Sequence, residues 1–125
     1  MSEDGQIEFL EYENTEAYAK LEGPGYKTFI TKLTVYIGRE ANNISPETPD
    51  EQLVFIGDSQ KISRKHAKIY WNNNRGEWEI KNLSKNKVIV NGAALRKDDN
   101  PAKLPPCAAI KVDKYKFYFF PAIKE

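Results

Sequence analysis

The loop Gly57-Asp58-Ser59-Gln60-Lys61-Ile62-Ser63-Arg64-Lys65-His66 crowds three cations and two hydroxyls into ten residues. That mixture suits a phosphate ester. Arginine offers a planar fork for two oxygens, lysine a compact charge, and serine hydroxyls and backbone N–H groups add directional donors. Arg39 stands just past Gly38, and Ser84-Lys85-Asn86-Lys87 supplies a further polar loop. A phosphothreonine carries about −1.5 to −2 charges near neutral pH, so several cations can gather on it. Taken singly, each of these groups also reads as an ordinary solvated basic loop.

Other chemistries lack their parts. The chain has one histidine, His66, and one cysteine, Cys107, too few for the usual zinc sites, and a nucleophile–His–acid triad would have to be built on His66. Gly23-Pro24-Gly25-Tyr26-Lys27-Thr28 has a glycine and a Lys-Thr pair but not the spacing of a phosphate-binding loop, and no helical pattern follows it. Asp98-Asp99-Asn100 lacks the remaining ligands of a calcium loop. The expectation is a protein with no catalytic residues, no metal and no cofactor.

The elements that position these loops have period two. Ala17-Tyr18-Ala19-Lys20-Leu21, Leu33-Thr34-Val35-Tyr36-Ile37 and the stretches around Ile69, Trp78, Ile110 and Phe117 alternate apolar with polar residues. Val88-Ile89-Val90 is a short β-branched run, and Leu53-Val54-Phe55-Ile56 reads as a more buried strand. Such alternation predicts antiparallel strands with one wet face. Gly23-Pro24-Gly25, Asn72-Asn73-Asn74-Arg75-Gly76 and Asn91-Gly92 are turn signals between them. Residues 40–52 and 96–106 are polar loops containing proline. No stretch of ten residues has a helical period.

The chain of 125 residues suits one domain, with 40% hydrophobic and 12% aromatic residues for its core. No run reaches the ~18 apolar residues of a membrane span, and the acidic start lacks the plan of a signal peptide. With the lone cysteine, these features predict an intracellular protein that does not meet a membrane. The net charge of +1 hides a split. Residues 1–16 hold Glu3, Asp4, Glu8, Glu11, Glu13 and Glu16 and no base, leaving 12 acids against 19 bases in residues 17–125, a net of +7. The division is an acidic N-terminal extension, 1–16, and a basic domain, 17–125. A basic body points to an anionic partner, and the extension could fold back on it through Ile7, Phe9 and Tyr12.

Gly38-Arg39, then Ser63-Arg64-Lys65-His66, then Asn86-Lys87-Val88-Ile89-Val90-Asn91-Gly92 resemble the three signature blocks of forkhead-associated (FHA) domains, G-R, S-R-x-H and N-G-T-x-V-N-G. The resemblance implies an all-β fold, a two-sheet antiparallel sandwich with ligand-binding loops at one end, that recognises phosphothreonine in a partner protein. Arg39 and Ser63 would contact the phosphate, with Arg64 and Lys85 close by. Asn86 would hydrogen-bond the backbone of the bound peptide. Gly38, His66, Asn91 and Gly92 would support the loops, His66 from behind and without titrating against the ligand.

One block departs from the family pattern. Asn86-Lys87-Val88 stands where the family has Asn-Gly-Thr, so a turn glycine and a bracing hydroxyl are missing and Lys87 adds a cation. Ala17–Gly23 and Tyr36–Arg39 are similar to FHA domains of forkhead-type transcription factors, fungal forkhead-like regulators of ribosomal-protein genes among them. That similarity implies a nuclear protein whose partner is a threonine-phosphorylated coregulator, with no direct nucleic-acid contact by this domain. Two alternatives stay open. One is a nucleic-acid-binding β module stacking bases on Tyr70, Trp71 and Trp78, although Trp71 and Trp78 fall on the inward phase of their strands. The other is a degenerate FHA fold that docks partners without phosphate.

Overall fold

A computed structural model describes residues 10–12, 15–40 and 49–122. Residues 1–9, 13–14 and 123–125, and 41–48 of the first polar loop, lie outside the described residues, as does any folding back of the extension through Ile7 and Phe9. The strands are β1 (Leu10–Tyr12), β2 (Thr15–Ala17), β3 (Ala19–Gly23), β4 (Tyr26–Ile30), β5 (Thr34–Arg39), β6 (Glu51–Gly57) and β7 (Ala67–Asn72). They continue with β8 (Glu77–Asn82), β9 (Val88–Val90), β10 (Ala93–Leu95), β11 (Ala102–Lys103), β12 (Ala108–Val112) and β13 (Tyr115–Pro121). β1 and β2 pair with each other, so the boundary between residues 16 and 17 falls inside β2.

Two larger sheets carry the fold. One has six strands in the order β10-β9-β12-β13-β3-β4, the other five in the order β11-β8-β7-β5-β6. Alternation decides which side chains meet between them. Leu21, Ile30, Val88, Ile110, Phe117 and Phe119 of the first sheet and Val35, Ile37, Val54, Ile69, Trp78 and Ile80 of the second belong to one buried cluster. Burying a side chain of this size contributes roughly 1.5–3 kcal/mol, whereas a typical hydrogen bond nets about 1 kcal/mol. The sandwich therefore holds the loops in place, and the loops do not hold the sandwich. Gln52 adds a polar stitch between the edges, its Nε2 donating to the Phe29 carbonyl at 2.8 Å and its Oε1 accepting from the Thr31 N–H at 2.8 Å.

The pairing is antiparallel throughout the two sheets except between β5 and β6, which run parallel. A chain that pairs parallel needs a connection long enough to return to the same end, and residues 40–50 provide it. Local alternation carries no information on strand direction, which is why this pair was not expected. β6 also corrects the reading of Leu53–Ile56 as a more buried strand. Val54 and Ile56 are buried, but Phe55 is 37% exposed, because β6 is an edge strand whose outer face nothing among the described residues covers. Lys20 departs in the opposite sense. On an outward position it is buried, paired with Glu22 at 2.9 Å and lying 5.3 Å from the Phe120 ring centre.

Candidate functional site

The site is built where the end of β5 meets the 58–66 and 83–87 loops. Gly38 is the penultimate residue of β5, and a Cβ there would collide with the backbone carbonyl of Arg64. Only glycine lets the 58–66 loop lie directly on the strand. Two backbone bonds fix that approach, from Arg39 N–H to the Ser63 carbonyl at 3.0 Å and from His66 N–H to the Ile37 carbonyl at 2.8 Å. Between Gly38 and Arg39 the register against β6 slips by one residue. Such a bulge re-aims the side chain that follows, and the Arg39 guanidinium donates through Nη1 to Gln60 Oε1 at 2.8 Å.

His66 joins this loop to the next. It is 1% exposed, and its Nδ1 accepts from the Ser63 N–H at 3.0 Å. In the neutral ring the proton therefore sits on Nε2, which donates to the Asn86 carbonyl at 3.0 Å. Asn82, also buried, donates from Nδ2 to the same carbonyl at 3.1 Å and to the Leu95 carbonyl at 2.8 Å, while its Oδ1 accepts from the Ser84 N–H at 2.8 Å. The Ser84 hydroxyl accepts from the Asn86 N–H at 3.1 Å and is 2.7 Å from the Ser63 hydroxyl. The Asn86 side chain closes the circuit, donating from Nδ2 to the Lys61 carbonyl at 2.7 Å. Its Oδ1 has no partner among the described residues and can accept an N–H from a ligand.

Of the residues singled out in the sequence, Gly38, Arg39, Ser63, His66 and Asn86 are brought together by these bonds. Arg64 and Lys85 are exposed in the same two loops, Arg64 with its carbonyl against Gly38. Asn91 and Gly92 belong elsewhere in the bonding. They form the two-residue turn from β9 to β10 with φ of 50° and 84°, and Asn91 bonds Ala109 through both its N–H and its Oδ1. Asn82, Ser84, Gln60 and Lys61 were not singled out. Gln60 and Lys61 were visible as members of the 57–66 loop and Ser84 as a member of the 84–87 loop, but nothing in the sequence marked their bonds. Val88, where the family pattern has a threonine, is fully buried, and the Ser84 hydroxyl bonds within the loop.

Burial pushes the His66 imidazole below its ordinary value of 6.5, against the opposing effect of its bonds to the backbone of the 86–87 loop. Protonating Nδ1 would also remove the acceptor of the Ser63 N–H. Because the folded value lies below the unfolded one, the neutral ring's contribution is complete above about pH 6.5 and is lost as pH falls from there toward the folded value. Urea unfolding at pH 7.5 and 5.5 should thus show a larger loss of stability for the natural chain than for His66→Gln. Equal losses would mean that His66 does not carry this dependence.

The aromatic residues considered as stacking platforms are engaged in the sandwich. Trp78 is buried, with ring centres 5.8 Å from Trp71 and 5.5 Å from Phe119, and Trp71 packs against the core. The Tyr70 hydroxyl donates to Glu79 at 2.7 Å, and burial together with that bond pushes it up to about 12.

Residues 35–113 match the FHA domain family. Over 102 residues the chain is 28% identical to the transcriptional activator FHA1 of Nicotiana tabacum, covering 82% of this chain and 47% of that protein. It is 30% identical over 103 residues to the pre-rRNA-processing protein FHL1 of Saccharomyces cerevisiae, covering 82% of this chain and 11% of that protein. The chain thus spans less than half the length of either relative. The crystal structure of the MEK1 FHA domain in complex with a phosphothreonine peptide of HOP1 shares the fold, with a TM-score of 0.62 at 23% identity over 86% of this chain and 99% of that one.

Proposed function

Because this chain belongs to the FHA domain family, a family of phosphopeptide-binding modules, we propose that its loop end binds phosphothreonine in a partner protein. The observation that carries the reading is the placement of Arg39 and Ser63. The Arg39 backbone bonds Ser63 and its guanidinium bonds Gln60 of the same loop, so both residues lie at one loop end of the sandwich. The phosphate oxygens would take the Arg39 fork and the Ser63 hydroxyl, with Arg64 and Lys85 adding charge. Asn86 Oδ1 would accept a backbone N–H of the peptide. Gly38 and His66 would act behind the contact surface, and Asn91 and Gly92 through the β9–β10 turn. The domain unit would be residues 17–125, with 1–16 as an acidic extension.

The wider setting follows the relatives, which are named as a transcriptional activator and a pre-rRNA-processing protein. On that basis the protein acts in the nucleus and recruits a threonine-phosphorylated coregulator of transcription, without binding nucleic acid through this domain. The test is a matched set of peptides carrying phosphothreonine, phosphoserine or unmodified threonine, titrated alongside an oligonucleotide. A methyl group in a fitted pocket is worth roughly 1–3 kcal/mol, so phosphothreonine should bind about 10- to 200-fold more tightly than phosphoserine. The unmodified peptide should not bind measurably. Equal affinity for the two phosphopeptides would refute the phosphothreonine pocket, and binding of the oligonucleotide alone would refute the reading as a whole.

A further inference from the structure

A guanidinium on a long stem has many rotamers, and a hydrogen bond narrows them only as far as the acceptor is itself held. The acceptor on Arg39 is Gln60 Oε1, 2.8 Å from Nη1, and Gln60 is exposed. What holds it is the turn on which it stands. The Ile62 N–H donates to the Ser59 carbonyl at 3.1 Å, so residues 59–62 form a β-turn with Gln60 at its first central position. Ile62 is 1% exposed and belongs to the core cluster, which pins the far side of the turn.

The near side is pinned from the other sheet. Tyr115 opens β13, and a Cβ on Gly57 would run into the hydroxyl end of its ring, so the ring lies directly against the backbone that leads into the loop. The Tyr115 hydroxyl donates to Asp58 Oδ1 at 3.1 Å. The Ser59 hydroxyl accepts from the Lys61 N–H at 3.2 Å and donates to the Asp113 carboxylate. Asp113 belongs to the two-residue turn between β12 and β13, where it takes a φ of 55°. Gly57, Asp58 and Ser59 are consecutive, and each of them meets that turn or the strand that follows it.

We propose that Gln60 is a positioning residue for Arg39, and that Tyr115 and Asp113 of the opposite sheet hold Gln60 where it aims the guanidinium. The proposal rests on the reading of the loop end as a phosphothreonine site. The bond to Gln60 takes one of the five N–H donors of the guanidinium and leaves the rest for phosphate oxygens. A fork aimed before the ligand arrives loses less rotamer freedom on binding. The path runs from the β12–β13 turn through residues 58 and 59 to Gln60, and from Gln60 to Arg39.

The experiment uses the intact chain, first without ligand. The NMR order parameter of the Arg39 Nε–H bond should exceed those of Arg75 and Arg96, both exposed. Gln60→Met keeps the stem and loses the oxygen, and it should bring the Arg39 value down to theirs. The same variant should bind a phosphothreonine peptide roughly three- to tenfold more weakly, the range for immobilising one long side chain, with its thermal midpoint unchanged. In an Arg39→Ala chain, Gln60→Met should cause no further loss. Ser59→Ala combined with Tyr115→Phe, which leaves the ring on Gly57, should lower both the Arg39 order parameter and the affinity. Three results would overturn the proposal. They are an Arg39 value no higher than those of Arg75 and Arg96, a value that either set of substitutions leaves unchanged, and an equal loss from Gln60→Met with and without the Arg39 guanidinium. Failure of the phosphothreonine reading looks different, since the natural chain would then not bind the peptide while the order parameters still responded.

Discussion

Arg39→Ala should weaken binding of a phosphothreonine peptide at least tenfold while leaving the sandwich intact. The side chain is half-buried at the end of β5, and its bond to Gln60 Oε1 is at the surface. The bond that ties Arg39 to Ser63 comes from its backbone and survives the substitution. Stability should therefore change little. A hydrogen bond to a charged group is worth about 1.5–3 kcal/mol, which corresponds to roughly a ten- to hundredfold loss of affinity for one such contact. Arg39→Lys keeps the charge but not the fork, so its affinity should fall between the two. Titration calorimetry, with the thermal midpoint of each variant as a control, measures both quantities. An unchanged affinity for Arg39→Ala would remove this residue from the site.

The largest effect on stability is expected at Gly38. An added Cβ meets the Arg64 carbonyl oxygen and carbon and lies 2.8 Å from the Ser63 carbonyl oxygen. All three are backbone atoms, so no flexible side chain can swing aside. Gly38→Ala must push the loop off β5 and stretch the Arg39–Ser63 and Ile37–His66 backbone bonds. Overpacking costs about 1–3 kcal/mol, and two weakened hydrogen bonds add up to about 2 kcal/mol. Against a total stability of roughly 5–15 kcal/mol this is severe, and the thermal midpoint should drop on the order of 10 °C. Scanning calorimetry tests it. A midpoint within a degree or two of the natural chain would show that the loop yields freely and that Gly38 is not needed for its approach.

Much of the framework is legible in the sequence because a strand with one buried face writes its orientation into alternate residues. Val35 and Ile37, Trp78 and Ile80, Ile110 and Val112, and Phe117 and Phe119 all point into the sandwich, as their spacing predicts. The three turn signals coincide with the β3–β4, β7–β8 and β9–β10 turns. Less could be read where the pattern is short or depends on distant neighbours. β10 is Ala93-Ala94-Leu95 and β11 only two residues, too little for any period. That β5 and β6 run parallel, and that Phe55 is left at an open edge, are facts of sheet order that no local pattern contains. In the site, residue types made the loops visible, but not their connections. Nothing in the sequence marks Asn82, yet it is buried and bonds three separate backbone groups. Its importance lies in where its neighbours come from, and those are brought up by the fold.

The His66 bridge has a thermodynamic consequence. One imidazole binds the backbone of both the 58–66 and 83–87 loops, and the paired hydroxyls of Ser63 and Ser84 add a second tie between them. Two segments that would otherwise order independently thus behave as one rigid body before any ligand arrives. The loss of loop freedom that often opposes association is already borne by folding, so the entropy still to be lost on binding belongs mainly to the peptide. A receptor of this kind should associate without a slow conformational step, its association rate rising in proportion to peptide concentration. Differences among partner sequences would then appear chiefly as differences in residence time.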